Sequence, residues 1–365
     1  MNHFTAHRLV FECEVVTPLR LNEQTGSAIR GAFYHALWNQ FCMNHDAPAC
    51  PACPLVATCP VAFLVSTLDE KSERGANVPR PYTIQPPLIP LSQGAGSSTL
   101  LPLGEGLGMR AKTEYAPGET LTFGLTMFAR ALNLFPYVVL AMQRLEQGGL
   151  GKRVAANGGR RGQFRVRRVW AENPLTGESR DVLRQGETMV QVPDVPITDE
   201  QIGEVARQRV GESANQRIGE SANQRTSGKG EVTLELLTPL RLVDDGQLVR
   251  RMAFRPLIQR LHGRLKQLTA EYSDTPLDFD LRQVMAQAEA VRVISDETRW
   301  VELESYSTRL GRATPIGGLV GRVTFEGDLA PFWSWLMWGQ FTHVGKDAVK
   351  GNGWYQISNV KSQIS

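Results

Sequence analysis

The chain has 365 residues, 42% hydrophobic and 21% charged, a composition that excludes a disordered or fibrous protein and suits two packed domains. A formal charge of +3 is too mild to mark a nucleic-acid binder by itself, so only local clustering of basic residues is informative. No apolar run of about 18 residues and no basic-then-apolar leader is found, so a soluble, cytoplasmic protein away from any membrane is expected.

The first predicted element is a strand in which Leu9, Phe11, Cys13 and Val15 alternate with polar residues. It runs through Val16-Thr17-Pro18-Leu19-Arg20-Leu21 into an amphipathic helix over residues 26–41, read from apolar spacings of three and four. Four of the five cysteines follow within 18 residues, Cys42, Cys50, Cys53 and Cys59, as C-x7-C-x2-C-x5-C. The C-x-x-C bite lets two thiolates hold one ion from a tight turn while the outer pair completes a tetrahedron, so a metal site is expected. Zinc is favoured, an iron–sulfur cluster is less so, and four reduced thiols packed in a proline-rich loop is the plain alternative. With every thiolate engaged, such a site is structural. Residues 91–99, rich in glycine and serine, read as a long loop.

A helix over 136–147 then feeds a glycine-rich stretch at 148–162 and a strand at 164–169. From Lys152 to Arg168 there are seven basic residues (Lys152, Arg153, Arg160, Arg161, Arg165, Arg167 and Arg168) and no acidic one. Backbone amides of a glycine-rich loop face phosphates directly and arginines add charge-assisted contacts, which suits a nucleic-acid backbone. A solvated basic hairpin is the competing reading. Beyond it the octapeptide beginning at Gln208 recurs, with one change, from Gln216; with no apolar face to bury, it reads as part of a surface linker over 171–230.

The second half restarts with a strand pattern (Val232, Leu234, Leu236) and Leu237-Thr238-Pro239-Leu240-Arg241-Leu242, nearly the string seen at 16–21. A helix over 248–268, another over 331–341, a glycine loop containing Gly345, Lys346, Lys350, Gly351 and Gly353, and a strand at 354–357 follow in the same order as before. The loop is not a Walker loop, because no Gly-Lys-Ser/Thr enters a helix. Agreement at both ends of each half implies duplication: an α+β chain of two tandem ferredoxin-like (RRM-like) β-α-β-β-α-β domains. The expected limits are 1–170, with the cysteine-rich metal-binding insertion at 42–60, then the linker, then 231–365. Three histidines stand where proton transfer near neutral pH is of use. His35 lies beside Tyr34 on the first helix, His343 at the mouth of the second glycine loop, and His45 within the cysteine segment.

The G-x5-G-x-G loop (Gly345, Gly351, Gly353), the stretch at 318–329 and the paired halves resemble the CRISPR-associated endoribonucleases of the RAMP superfamily, the Cas-six family. The stretch 29–37 and the cysteine segment are similar to a bacterial branch that carries a cysteine cluster. The resemblance implies metal-independent cutting of precursor CRISPR RNA within each repeat by 2′-hydroxyl attack, giving a 2′,3′-cyclic phosphate and a 5′-hydroxyl. It places a catalytic histidine on or just after the first helix near a tyrosine, so Tyr34 matches and His35 or His45 matches. His343 stands as an independent candidate, and Lys346 would neutralise charge on the phosphorane. Lys152, Arg153, Arg160, Arg161, Arg165, Gly345, Lys350, Gly351 and Gly353 are the expected RNA contacts. The implied partners are CRISPR repeat RNA and other CRISPR effector subunits, with a non-cleaving crRNA-binding subunit as the rival function.

Overall fold

The computed structural model describes residues 4–21, 24–65, 78–90, 109–215, 230–277, 281–307 and 312–358. Strand β1 (Thr5–Val15) puts Leu9, Phe11, Cys13 and Val15 on one buried face, as period-2 alternation requires. Helix α1 (Thr25–Phe41) buries Ile29, Phe33 and Leu37, spaced by four, against that face. The half continues with β2 (Tyr82–Gln85), β3 (Thr120–Phe128), α2 (Phe135–Gly148), a hairpin of β4 (Leu150–Val154) and β5 (Arg160–Gly162), β6 (Phe164–Asn173) and β7 (Glu178–Arg184). Its antiparallel sheet is ordered β7-β6-β1-β3-β2. The loop expected at 91–99 lies outside the described residues.

The second half repeats this plan with β8 (Gly230–Leu240), α4 (Phe254–Tyr272), β9 (Arg292–Asp296), β10 (Gly318–Gly327), α5 (Trp333–Thr342) and β11 (Tyr355–Ile357), ordered β9-β10-β8-β11. In each half the first strand lies between the last and the third, and the second strand lies beyond the third. Leu257, Leu261, Leu265 and Leu268 of α4 and Leu336, Trp338 and Phe341 of α5 close a second core over Val232, Leu234 and Leu236. At about 1.5–3 kcal/mol for each large side chain fully buried, these two cores dominate stability.

The recurrent Thr-Pro-Leu-Arg string has one physical task in both halves. Val16 and Thr17 amides donate to the Gln163 carbonyl (2.8 and 3.2 Å), and Thr17 Oγ1 accepts from the Gln163 amide at 2.8 Å. In the second half Leu237 and Thr238 amides donate to the Trp354 carbonyl (2.9 and 3.2 Å), and Thr238 Oγ1 accepts from the Trp354 amide at 2.8 Å. A Cβ at Gly151 would stand 2.2 Å from the Arg20 carbonyl oxygen, and one at Gly345 would stand 2.6 Å from that of Arg241. Each string therefore clamps the glycine segment of its own half.

The linker reading of 171–230 is corrected. Residues 171–173 finish β6, β7 extends the first sheet, and residues 199–215 form helix α3 (Asp199–Asn215), which contains the first octapeptide. Ile202 and Ala206, one turn apart and just before that octapeptide, insert into the second core, and Asp199 Oδ1 accepts from Trp338 Nε1 at 2.8 Å. A segment polar by itself is thus held in a helix by its apolar upstream turns. The second octapeptide lies outside the described residues.

Candidate nucleic-acid interface and acid–base site

The two glycine segments, twins in sequence, have different surroundings. The first is the β4–β5 hairpin, where Lys152, Arg153, Arg160 and Arg161 face solvent, as does Arg165 at the start of β6. None of the five forms an ion pair with a described residue, whereas Arg167 is paired with Glu14 and Arg168 with Asp181. Four such cations on one projecting hairpin and a fifth at the start of β6, none paired with a described residue, make a surface suited to phosphates.

The second segment is driven into the junction of the halves. A Cβ at Gly26, in the first turn of α1, would fall 2.0 Å from the Lys350 carbonyl oxygen, and one at Gly351 would fall 2.8 Å from that of Ile84 in β2. Beside it Thr83 Oγ1 donates to the Phe341 carbonyl at 2.7 Å. Gly351 and Gly353 are buried, so they shape the loop rather than touch RNA, a correction to their expected role; Gly345 is half-buried. Lys346 projects into solvent, while Lys350 is half-buried and paired with Asp347 at 2.8 Å.

His343 is corrected most sharply. It has no exposed surface, and its ring lies parallel to that of Trp354 with centroids 6.0 Å apart, so as placed it has no path to a substrate. It caps α5 at φ 56°, ψ 173°, where the twin position capping α2 is Gly149 at φ 71°, ψ 167°. A side chain in this glycine-type conformation is strained. Burial, and then the Arg264 guanidinium, holds its pKa well below the usual histidine range. The unfolded chain takes up a proton near pH 6.5 and the folded one resists it, so stability is full above that pH and falls as pH drops. Below about pH 6.5 the expected slope from His343 approaches 1.4 kcal/mol per pH unit. His343→Gly, scanned by thermal melting from neutral to acidic pH, is expected to lose that part of the slope and keep the part due to buried His7, whose pKa is also lowered by burial.

The remaining candidates meet on α1. Ser27, Arg30, Gly31, Tyr34 and Trp38 follow the three- and four-residue spacing of one helix face, opposite the buried stripe, and this face begins where Lys350 docks. Arg30 lies over the Tyr34 ring at 5.8 Å, and His35, exposed, meets that ring edge-on at 5.4 Å. His45, also exposed, packs edge-on against Trp38 at 4.2 Å, one helical turn from Tyr34. A Cβ at Gly31 would have nothing within 4 Å, so the face is open beside Tyr34 and His35. Trp38 and Arg30 were missed from sequence, although their spacing from Tyr34 is a legible signal.

Cys42, Cys50, Cys53 and Cys59 are free and half-buried. The C-x-x-C segment forms a 3-10 turn in which the Cys53 amide donates to the Cys50 carbonyl at 3.1 Å. Partial burial and the neighbouring Cys59, Cys42 and Cys53 push the Cys50 thiol up. Among the described residues no three His, Cys, Asp or Glu side chains stand in a ligating arrangement. Also among the described residues, no helix is long and apolar enough to cross a membrane.

Residues 4–195 match the family AF_1859_N, an N-terminal domain, and residues 234–355 match the family CRISPR-associated endoribonuclease Cas6. No curated protein is similar to the chain in sequence. Among solved structures, a partial Cas6-RT-Cas1–Cas2 complex is similar at TM-score 0.54 and 11% identity, over 98% of this chain and 47% of that one. A Cas6-RT-Cas1–Cas2 complex is similar at the same TM-score and identity, over 98% of this chain and 29% of that one. A Cas6 product complex is similar at TM-score 0.50 and 14% identity, over 96% of this chain and 99% of that one. This chain thus spans about half the length of the first of these and under a third of the second. At such identities the likeness is one of fold.

Proposed function

This chain belongs to the AF_1859_N domain family through residues 4–195 and matches the CRISPR-associated endoribonuclease Cas6 family over residues 234–355, and on that premise we propose that it is a RAMP-type endoribonuclease that cuts precursor CRISPR RNA within the repeats. The observation that carries the reading is the docking of the second glycine loop on the first turn of α1, which joins the loop that exposes Lys346 to the helix that carries Tyr34 and His35 and that His45 packs against through Trp38. The two halves are read as tandem ferredoxin-like units, with the β4–β5 hairpin gripping the RNA backbone.

In the proposed reaction His45 takes the proton of the ribose 2′-hydroxyl upstream of the scissile phosphate. The 2′-oxygen bonds to phosphorus, the bond to the 5′-oxygen breaks, and that oxygen takes a proton from water, which the proton held by His45 then replaces in solvent, giving a 2′,3′-cyclic phosphate and a 5′-hydroxyl. Tyr34 orients the ribose or phosphate, and Lys346 offsets charge on the phosphorane. The contact between His35 and Tyr34 supports His35 as the second candidate for the base. No metal takes part in these steps. The cysteine segment is proposed to hold one structural metal ion, zinc rather than an iron–sulfur cluster, on Cys42, Cys50, Cys53 and Cys59. The spacing of four thiols within 18 residues, two of them on the Cys50–Cys53 turn, supports this, and the ion would staple the loop that carries His45.

One experiment tests the reading. Purified protein is incubated with its repeat RNA with and without a mild chelator, product ends are mapped, and the metal content of the same sample is measured. A single cut with a cyclic phosphate, unaffected by the chelator, in protein containing about one zinc, is expected. Tight binding without a cut would leave the non-cleaving crRNA-binding subunit, and metal-free reduced protein would refute the cysteine site.

A further inference from the structure

One exposed feature lies outside the α1 face and the glycine loops. Trp300, on the short strand Arg299–Val301 that pairs with β10, has the Arg250 guanidinium carbon 3.9 Å from its ring centroid. Arg241 approaches the same ring at 5.7 Å. Glu302 Oε1 accepts from Trp300 Nε1 at 2.8 Å and from Arg250 Nη1 at 3.1 Å, closing a triangle of ring, cation and carboxylate. A planar cation is thereby laid on an aromatic face, yet the Arg250 side chain remains 54% exposed and Glu302 69%. Exposed ion pairs and cation–π contacts are each worth at most about 1 kcal/mol, so stability gives little reason for the arrangement. What it supplies is a preorganised plane with a cation on it, the surface on which an unpaired nucleobase stacks.

Its position fits that use. The Arg241 carbonyl accepts the Lys346 amide at 3.0 Å, so the platform adjoins the second glycine loop. Four residues beyond Trp300, roughly 13 Å along an extended chain, the Glu304 carbonyl accepts from Gln24, and Ser305 Oγ lies 3.2 Å from Ser27 Oγ at the start of α1. The segment thus runs from the platform to the proposed cleavage face.

We propose that Arg250, laid on Trp300, is a stacking platform for one unpaired base of RNA whose backbone passes the second glycine loop. The inference rests on the RNA reading above. It predicts that Arg250→Lys, which keeps the charge and loses the plane, binds repeat RNA more weakly while its affinity falls with salt at the wild-type slope. Stacking is worth about 1–3 kcal/mol per base, so the loss is expected to be roughly 5- to 150-fold. Trp300→Leu, which removes the ring under the cation, is expected to show a similar loss. Titrations by fluorescence anisotropy at several salt concentrations, repeated with RNAs made abasic one unpaired position at a time, identify the base. At a single position the abasic RNA should bind wild type and Arg250→Lys equally. Arg250→Lys binding as tightly as wild type, or a difference that survives at every abasic position, overturns the platform and leaves the RNA reading intact. Wild type that shows no salt-dependent RNA binding overturns both.

Discussion

His45→Ala is expected to slow cleavage of repeat RNA by about 10²–10⁴-fold, the usual worth of a general base or acid, with RNA affinity nearly unchanged. A 2′-hydroxyl nucleophile needs a proton acceptor that reaches it and changes protonation near neutral pH, and the three candidate histidines differ in reach. His343 is enclosed against Trp354, whereas His45 and His35 are exposed beside the Trp38 and Tyr34 rings. His45 stands over Trp38, on the same helix face as Tyr34 and Ser27, and this face runs from the docked loop. The measurement is the single-turnover rate with saturating protein, which separates chemistry from binding. His35→Ala is expected to retain most of the rate, and a reversal of the two results would move the base to His35. If both variants cut at the wild-type rate, the acid–base site does not lie on α1.

The second large effect concerns the loop itself. Gly353→Ala is expected to destabilise the second half by about 4 kcal/mol or more, while Gly158→Ala, in the first loop, costs about 1 kcal/mol. Both glycines have positive φ, 67° and 64°. They differ in surroundings, because a Cβ at Gly353 would stand 1.8 Å from the Val344 carbonyl oxygen and one at Gly158 would meet nothing within 4 Å. Relieving that overlap separates the Val344 amide from the Gly353 carbonyl (3.1 Å) and the Gly353 amide from the Pro239 carbonyl (3.0 Å). Leaving such buried groups unpaired costs about 1–3 kcal/mol each, so the total reaches about 4 kcal/mol or more against a typical stability of 5–15. Calorimetry reads the outcome directly. A Gly353→Ala protein that melts with the wild type would show that the Pro239 clamp does not hold the loop.

What the sequence determined by itself was local or duplicated. Alternation in β1 and β8, the apolar spacing of α1 and the recurrence of Thr-Pro-Leu-Arg depend on neighbours along the chain, and the solvent-facing arginines of the β4–β5 hairpin follow from an unbroken run of basic and small residues. The likeness to the Cas6 family over residues 234–355 was legible for the same reason, since the glycine loop is a contiguous string. Tertiary structure decided the rest. Two similar loops diverged because the second crosses to the other half, where its Lys350–Gly351 turn docks on the first turn of α1 and on β2, an encounter between residues more than 260 positions apart that buries Gly351 and leaves Lys346 exposed. His343 reads as a loop-mouth histidine in one dimension, yet its ring is enclosed against Trp354 in three. The octapeptide at Gln208 looked like linker because its anchors, Ile202 and Ala206, find their apolar partners only in the second core. Arg250 and Trp300 are 50 positions apart, and no periodicity relates them; only the folding of the second half lays one on the other.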